Sequence, residues 1–287
     1  MSNAHPSYPR FDLVQRIEHI ILLVSFTVLS ITGLPQMFSL QPWAVFMINA
    51  MGGIETVRII HRTSAVLLIV GTVYHFGALT YRVFVKRVEM TMLPGLQDVK
   101  DGLQALAHNL GIVKRAPRMG RYTFGEKVEY WAVIWGTVIM LITGFMLWNP
   151  IATTSVLPGQ FIPAAKAAHG GEALLAVLSI LTWHFYNVHV KRFNRSMFTG
   201  NISHAEMEEE HALELEEIEQ GRTAPAADPA GVRRRRRVFI PAAAVITTLL
   251  LLGLYFFVTY EQTAITTVPR QEIDVFTPLT PDPGVVQ

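Results

Sequence analysis

Four histidines, His19, His61, His169 and His184, sit in or at the edges of long apolar runs of a 287-residue chain with no cysteine. An imidazole within a bilayer is expensive without a partner, so intramembrane ionisable residues point to function. Imidazole is also a common axial ligand of haem iron. The four side chains are therefore expected to hold two b-type haems in a protein that moves electrons across a membrane.

The elements that must position them are membrane spans. A mean hydropathy of +0.33, with 51% hydrophobic and 16% charged residues, takes the chain out of the ordinary soluble class. Stretches 17–34, 59–83, 128–148, 170–190 and 238–260 each suit a bilayer crossing of roughly 20 residues. The expected fold is all-α: a transmembrane four-helix bundle that binds haem, plus a fifth transmembrane helix. The chain divides into a four-helix core (1–203), an acidic helix with a linker (204–237), the fifth span (238–260) and a tail (261–287).

Orientation follows the basic residues. The connection 82–127 carries nine: Arg82, Lys86, Arg87, Lys100, Lys114, Arg115, Arg118, Arg121 and Lys127. The connection 149–168 carries only Lys166, and 35–57 none. Arg10, Arg16, Lys191, Arg192, Arg195 and Arg233–Arg237 flank the same side. The N-terminus is thus expected in the cytoplasm and the C-terminus outside, in a bacterial or archaeal cytoplasmic membrane. The polar residues 1–15, with no small-residue cleavage site after the first apolar run, suggest that the first span is retained.

On span two, His61 and His75 are 14 residues apart, roughly 21 Å along a helix and within about 40° of one face. On span four, His169 and His184 are 15 apart, roughly 22 Å and about 60°. Both spans run outside to inside, so His61 and His169 share the outer level. His19, His75 and His184 share the inner one. One haem fits between His61 and His169; the second takes His184 with either His19 or His75. What lifts these histidines above ordinary polar contacts is their joint agreement in depth.

The plainer explanations bear on the remaining residues. Gly33, Gly71, Gly136, Gly144, Gly170 and Gly171 allow close approach to a flat macrocycle, or simple helix packing. His189 lies by Lys191 and Arg192, where interfacial solvation suffices, and His108, His204 and His211 lie in polar connections. The acidic stretch 204–220 reads as a solvated surface helix, and 221–231 as a flexible linker. Glu18, Glu55 and Glu172 lie near span ends. No residue-level repeat is evident, although spans two and four each begin and end with histidine.

The composition also excludes chemistry. Without cysteine there are no disulfides, thiolate-held iron–sulfur clusters or covalent haem attachments. The run Arg233–Arg237 precedes an apolar stretch, which suits anionic headgroups of the lipid bilayer and no nucleic acid. Span five has neither histidine nor acid and suits anchoring; the acidic, proline-containing tail suits an extended arm on a partner.

The segments carrying the histidines resemble the cytochrome b subunits of membrane-bound formate dehydrogenases, thiosulfate reductases and nickel–iron hydrogenases. The resemblance rests on Arg16-Ile17-Glu18-His19, Arg58-Ile59-Ile60-His61, Gly120–Lys127, Trp183-His184-Phe185-Tyr186 and Met197-Phe198-Thr199-Gly200. It covers roughly residues 10–215. It implies an outer haem held by His61 and His169, and an inner one held by His19 and His184. It further implies menaquinone or ubiquinone chemistry near the inner haem, where Asn109 and Gly111 are the nearest match to the family's quinone stretch. His75 and His189 are extra to the pattern, leaving a changed ligand set or a third haem open. Span five extends beyond the family core, so the partner is read as an extracytoplasmic redox subunit, either an iron–sulfur protein or a multihaem cytochrome c.

The expected function is that of an electron-transfer subunit of a quinone-linked oxidoreductase complex. The alternatives are a proton or ion transporter using the histidines as a relay, and a structural anchor. Any substrate-specific active site lies on the partner.

Overall fold

The computed structural model of the protein describes residues 7–222 and 228–260. Among them, five helices are long and apolar enough to cross a membrane, and the chain adopts the expected all-α architecture.

Helix α1 (Leu13–Met37) opens on a capping box. Asp12 accepts from the Gln15 N–H at 3.0 Å, and the Gln15 side chain accepts from the Asp12 N–H at 3.1 Å, so two donors at the helix start are satisfied reciprocally. The short α2 (Pro42–Ala50) leads to Gly52 and Gly53, with φ of +92° and +95°. That left-handed turn favours residues without a Cβ. Helix α3 (Ile54–Thr80) continues through a π-helical turn, Tyr81–Lys86. Helix α4 (Leu96–Asn109) docks onto α5 (Phe124–Trp148), where Lys127 Nζ meets Asp98 at 2.7 Å. A Cβ on Gly102 would come within 2.8 Å of the Phe124 ring. Thr123 and Glu126 form the capping box of α5. After α6 (Pro150–Thr154), helix α7 (Phe161–Ser179) runs on through two more π-helical turns, Ile180–His184 and Tyr186–Val190.

These helices form two antiparallel hairpins, α1 along α3 and α5 along α7, joined where α1 also meets α7. The burial pattern is inverted relative to a soluble bundle. Leu23, Val24, Leu67, Val70 and Leu178 face outward, whereas Ser25, Thr32 and Thr143 are buried. Each of those hydroxyls donates to a carbonyl one turn back at 2.7 Å. Lipid offers no hydrogen bonds, so interior polar groups must be satisfied within the bundle.

Below the bundle, strand β1 (Ser7–Pro9) pairs antiparallel with β2 (Asn201–Ser203), which follows α8 (Ser196–Thr199). Helices α9 (His204–Glu210) and α10 (Ala212–Glu219) close a small apolar cluster of Ile202, Met207 and Leu215, with Tyr8 and Ile218 against it. The acidic stretch is therefore packed rather than merely solvated. His211 is buried with its ring at 2.9 Å from the Gly120 carbonyl, and His204 meets the Tyr8 hydroxyl at 3.1 Å. Buried Arg10 ties the layers together, donating to Glu214 at 3.0 Å and to Glu126 at 3.2 Å. Burial alone would lower the Arg121 pKa. The Glu214 carboxylate at 2.5 Å and the neighbouring Tyr122 outweigh that and hold it above the ordinary arginine value.

The fifth long helix, α11 (Pro229–Thr259), lies against α3 and the turn Tyr81–Lys86. Tyr81 meets Phe239 edge-on at 5.6 Å between ring centroids, and the Phe257 and Phe145 centroids lie 4.5 Å apart. The run Arg233–Arg237 falls inside this helix rather than before it, and Arg235 donates to the Val85 carbonyl at 2.8 Å. The tail 261–287 and residues 223–227 of the expected linker lie outside the described residues.

Candidate functional site

Two imidazole pairs face each other inside the bundle. His61 on α3 and His169 on α7 have ring centroids 6.4 Å apart, and His19 on α1 and His184 at the end of the first α7 wide turn are also 6.4 Å apart. Two rings bound about 2 Å from a shared metal ion, each with its centroid roughly 1.1 Å beyond the ligating nitrogen, would be about 6.3 Å apart. Both pairs thus fit one iron between them. Among the described residues no cluster of three or more His, Cys, Asp or Glu could hold a bare ion. Two facing imidazole nitrogens would suit a metal whose remaining positions a macrocycle supplied.

The hydrogen bonds fix which nitrogen faces inward. His61 Nδ1 is 2.9 Å from Thr32 Oγ1, and His169 Nδ1 is 2.9 Å from Thr143 Oγ1. Each threonine already donates its single proton to its own helix, to Val28 O and Ile139 O at 2.7 Å. Each therefore accepts from Nδ1–H, which leaves the Nε2 lone pair for a metal. At the other level His184 Nδ1 lies 2.7 Å from the Glu129 carboxylate. There too the ring donates through Nδ1.

Glycines clear space beside two of the rings. A Cβ on Gly33 would come within 3.1 Å of His61 Cε1, and one on Gly144 within 3.4 Å of His169 Cε1. Gly136 serves the close approach of helices, since a Cβ there would meet the carboxylate of Glu172 on α7 at 2.5 Å.

The structure separates His75 from the two facing imidazole pairs. Its Nδ1 meets Glu18 Oε2 at 3.1 Å and its Nε2 meets the Tyr130 hydroxyl at 3.1 Å. With Nδ1–H donated to the carboxylate, Nε2 accepts from Tyr130, and no lone pair remains. Glu18 Oε1 is buried without a hydrogen-bond partner. His189 stacks between Phe185 and Phe193. Asn109 ends α4, exposed, and Gly111 at φ +73° turns the chain back onto the His108 carbonyl at 2.9 Å, a helix C-cap.

Sequence reasoning missed Glu129, Thr32 and Thr143, and with them a repeat. Ile31-Thr32-Gly33 on α1 recurs as Ile142-Thr143-Gly144 on α5. Fourteen residues before each threonine stands an acid, Glu18 followed by His19 and Glu129 followed by Tyr130. The partners repeat too: Thr32 holds His61 and Glu18 holds His75, while Thr143 holds His169 and Glu129 holds His184. The two hairpins thus repeat one hydrogen-bonding plan, and aligning the tripeptides would have exposed it.

The first 95 residues match the family model described as prokaryotic cytochrome b561. Over 211 residues the chain is 20% identical to the nitrate-inducible formate dehydrogenase cytochrome b556(Fdn) subunit of Escherichia coli K12. That match covers 74% of this chain and 91% of the relative. It is 22% identical over 212 residues to the formate dehydrogenase cytochrome b556(fdo) subunit of the same strain, covering 73% and 92%.

Proposed function

The chain belongs to a cytochrome b subunit family, and from that premise we propose that it carries electrons between an extracytoplasmic redox partner and the quinone pool, using two b haems stacked across the membrane. That it is a multi-pass membrane cytochrome b subunit of electron transfer follows from the family match, the relatives and the five apolar helices. The count of haems, their ligands, the quinone and the partner are our reading.

One observation carries it: two imidazole pairs at 6.4 Å, at the two ends of the same bundle. Haem held at each pair supplies reversible one-electron chemistry. The chain's own residues do the rest. His61 and His169 would hold the outer haem, His19 and His184 the inner one. Thr32, Thr143 and Glu129 fix the rings, and Gly33 and Gly144 keep their flanks clear.

Basic residues on the His19/His184 side, among them Arg82, Lys86, Arg121 and Lys127, support a cytoplasmic position for that side. Glu18, His75 and Tyr130 gather there as well, a polar setting suited to a quinone headgroup. Asn109 and Gly111, on the same side of the bundle, are the residues we assign to its approach. The relatives' names, subunits of formate dehydrogenases, support a redox partner subunit on the far side.

The test is a reduced-minus-oxidised spectrum with haem counting on the purified chain. Two b haems per chain are expected, and a colourless preparation would remove the proposal.

A further inference from the structure

The two imidazole pairs differ in what holds their outer nitrogens. At the His61/His169 level both Nδ1–H groups meet neutral hydroxyls, Thr32 and Thr143, at 2.9 Å. At the His19/His184 level the partner of His184 is a carboxylate, Glu129, at 2.7 Å. A hydrogen bond to an ionised acceptor is shorter and roughly twice as strong as a neutral one. It draws the Nδ1 proton outward and raises the basicity of Nε2 towards a metal.

Resting on the ligand assignment above, we infer that Glu129 is a positioning residue that sets the potential of the His19/His184 haem below the value its ring geometry alone would give. A more basic His184 nitrogen, with a negative charge behind it, would favour the ferric over the ferrous state of a haem held there. The hydroxyls at the other level supply orientation without that charge. The chain therefore builds an electrical difference between its two haems from side chains that never touch either metal.

The arrangement is local to one hairpin. Glu18 is the counterpart of Glu129 and holds His75 in the same way, but the Nε2 of that ring is taken by Tyr130, so its carboxylate hydrogen-bonds no proposed ligand ring. Glu129 is half-buried beside His184, with side-chain exposures of 28% and 32%, which limits the water available to screen the charge.

The experiment is a potentiometric titration of the haem bands in the purified, haem-loaded protein, comparing wild type with Glu129→Gln. The amide oxygen still accepts from Nδ1–H, so the ring stays in place while the charge is lost. His61→Ala and His184→Ala, each expected to lose one wave, assign the waves to their levels. In Glu129→Gln both haems are expected to remain. The wave that His184→Ala removes should move to higher potential, its equilibrium displaced towards the ferrous form by at least about fivefold. The other wave should stay within error. Unmoved waves, or a shift confined to the wave that His61→Ala removes, would overturn the inference while leaving the haem reading intact. Retention of both haems in His184→Ala would instead overturn the ligand reading, and this inference with it.

Discussion

The first hairpin, α1 with α3, and the second, α5 with α7, carry the same plan with two differences. Glu18, Thr32, Gly33, His61 and His75 in the first stand where Glu129, Thr143, Gly144, His169 and His184 stand in the second. The exceptions are His19, which faces Tyr130 in this correspondence, and one extra residue between His169 and His184. At the level where both halves keep the plan, the two equivalent histidines, His61 and His169, meet each other. At the other level the halves cross: His19 meets His184, and Tyr130 meets His75, with ring centroids 6.4 and 6.0 Å apart. A phenol in place of an imidazole turns one of two equivalent positions from an imidazole pair into a hydrogen bond. A repeated plan thus presents unequal imidazole pairs through a single side chain.

The largest break in this comparison is ligand removal. His61→Ala should abolish one b haem per chain and leave the other, and His184→Ala should do the converse, as read by haem counting and band positions. Loss of both haems from either variant would mean that the two levels are not independent.

Next in size is a repair. If Tyr130 alone closes the second position, adding Tyr130→His to His184→Ala should let His75, already held by Glu18, join the new imidazole and restore a haem at that level. A double variant that stays at one haem would show that the equivalence of the halves stops at their hydrogen bonds.

Removing a ring partner should act more gently. Thr32→Val and Thr143→Val should each weaken haem retention about tenfold, measured by haem loss to an apo-protein acceptor. The effect should fall on the same band in both variants, since both threonines serve one level.

The smallest effect separates the two glycines. Gly33→Ala should disturb the His61 ring, at 3.1 Å from the new methyl, and broaden or shift the band. Gly144→Ala, at 3.4 Å, should be nearly silent.

How much of this the sequence conveys follows from helix geometry. Depth along a span depends only on residue count and a constant rise, so the shared levels of His61 with His169, and of His19 with His184, are legible from residue numbers alone. The choice between His19 and His75 is not, because it depends on what occupies the Nε2 of His75. That occupant is Tyr130, from another helix. The roles of Glu129, Thr32 and Thr143 depend on the register between neighbouring helices, which no single span encodes. The repeat is masked by the same two differences, a tyrosine at the histidine position and an unequal spacing of 14 and 15 residues. The acidic stretch is legible as helical, yet its packing relies on Tyr8 and Ile202, far away along the chain.

The wide turn Ile180–His184 makes depth and bearing separate coordinates of the chain. A regular helix would leave His184 about 60° off the bearing of His169, and a turn closed over five residues rotates less per residue, which reduces that offset. Shortening the segment by one residue would raise the ring by only about 1.5 Å but swing it by about 100°. Exchanges of one apolar residue for another between Ile180 and Thr182 should therefore be tolerated, whereas an indel there would silence the lower pair without altering the hydrophobic length of the span.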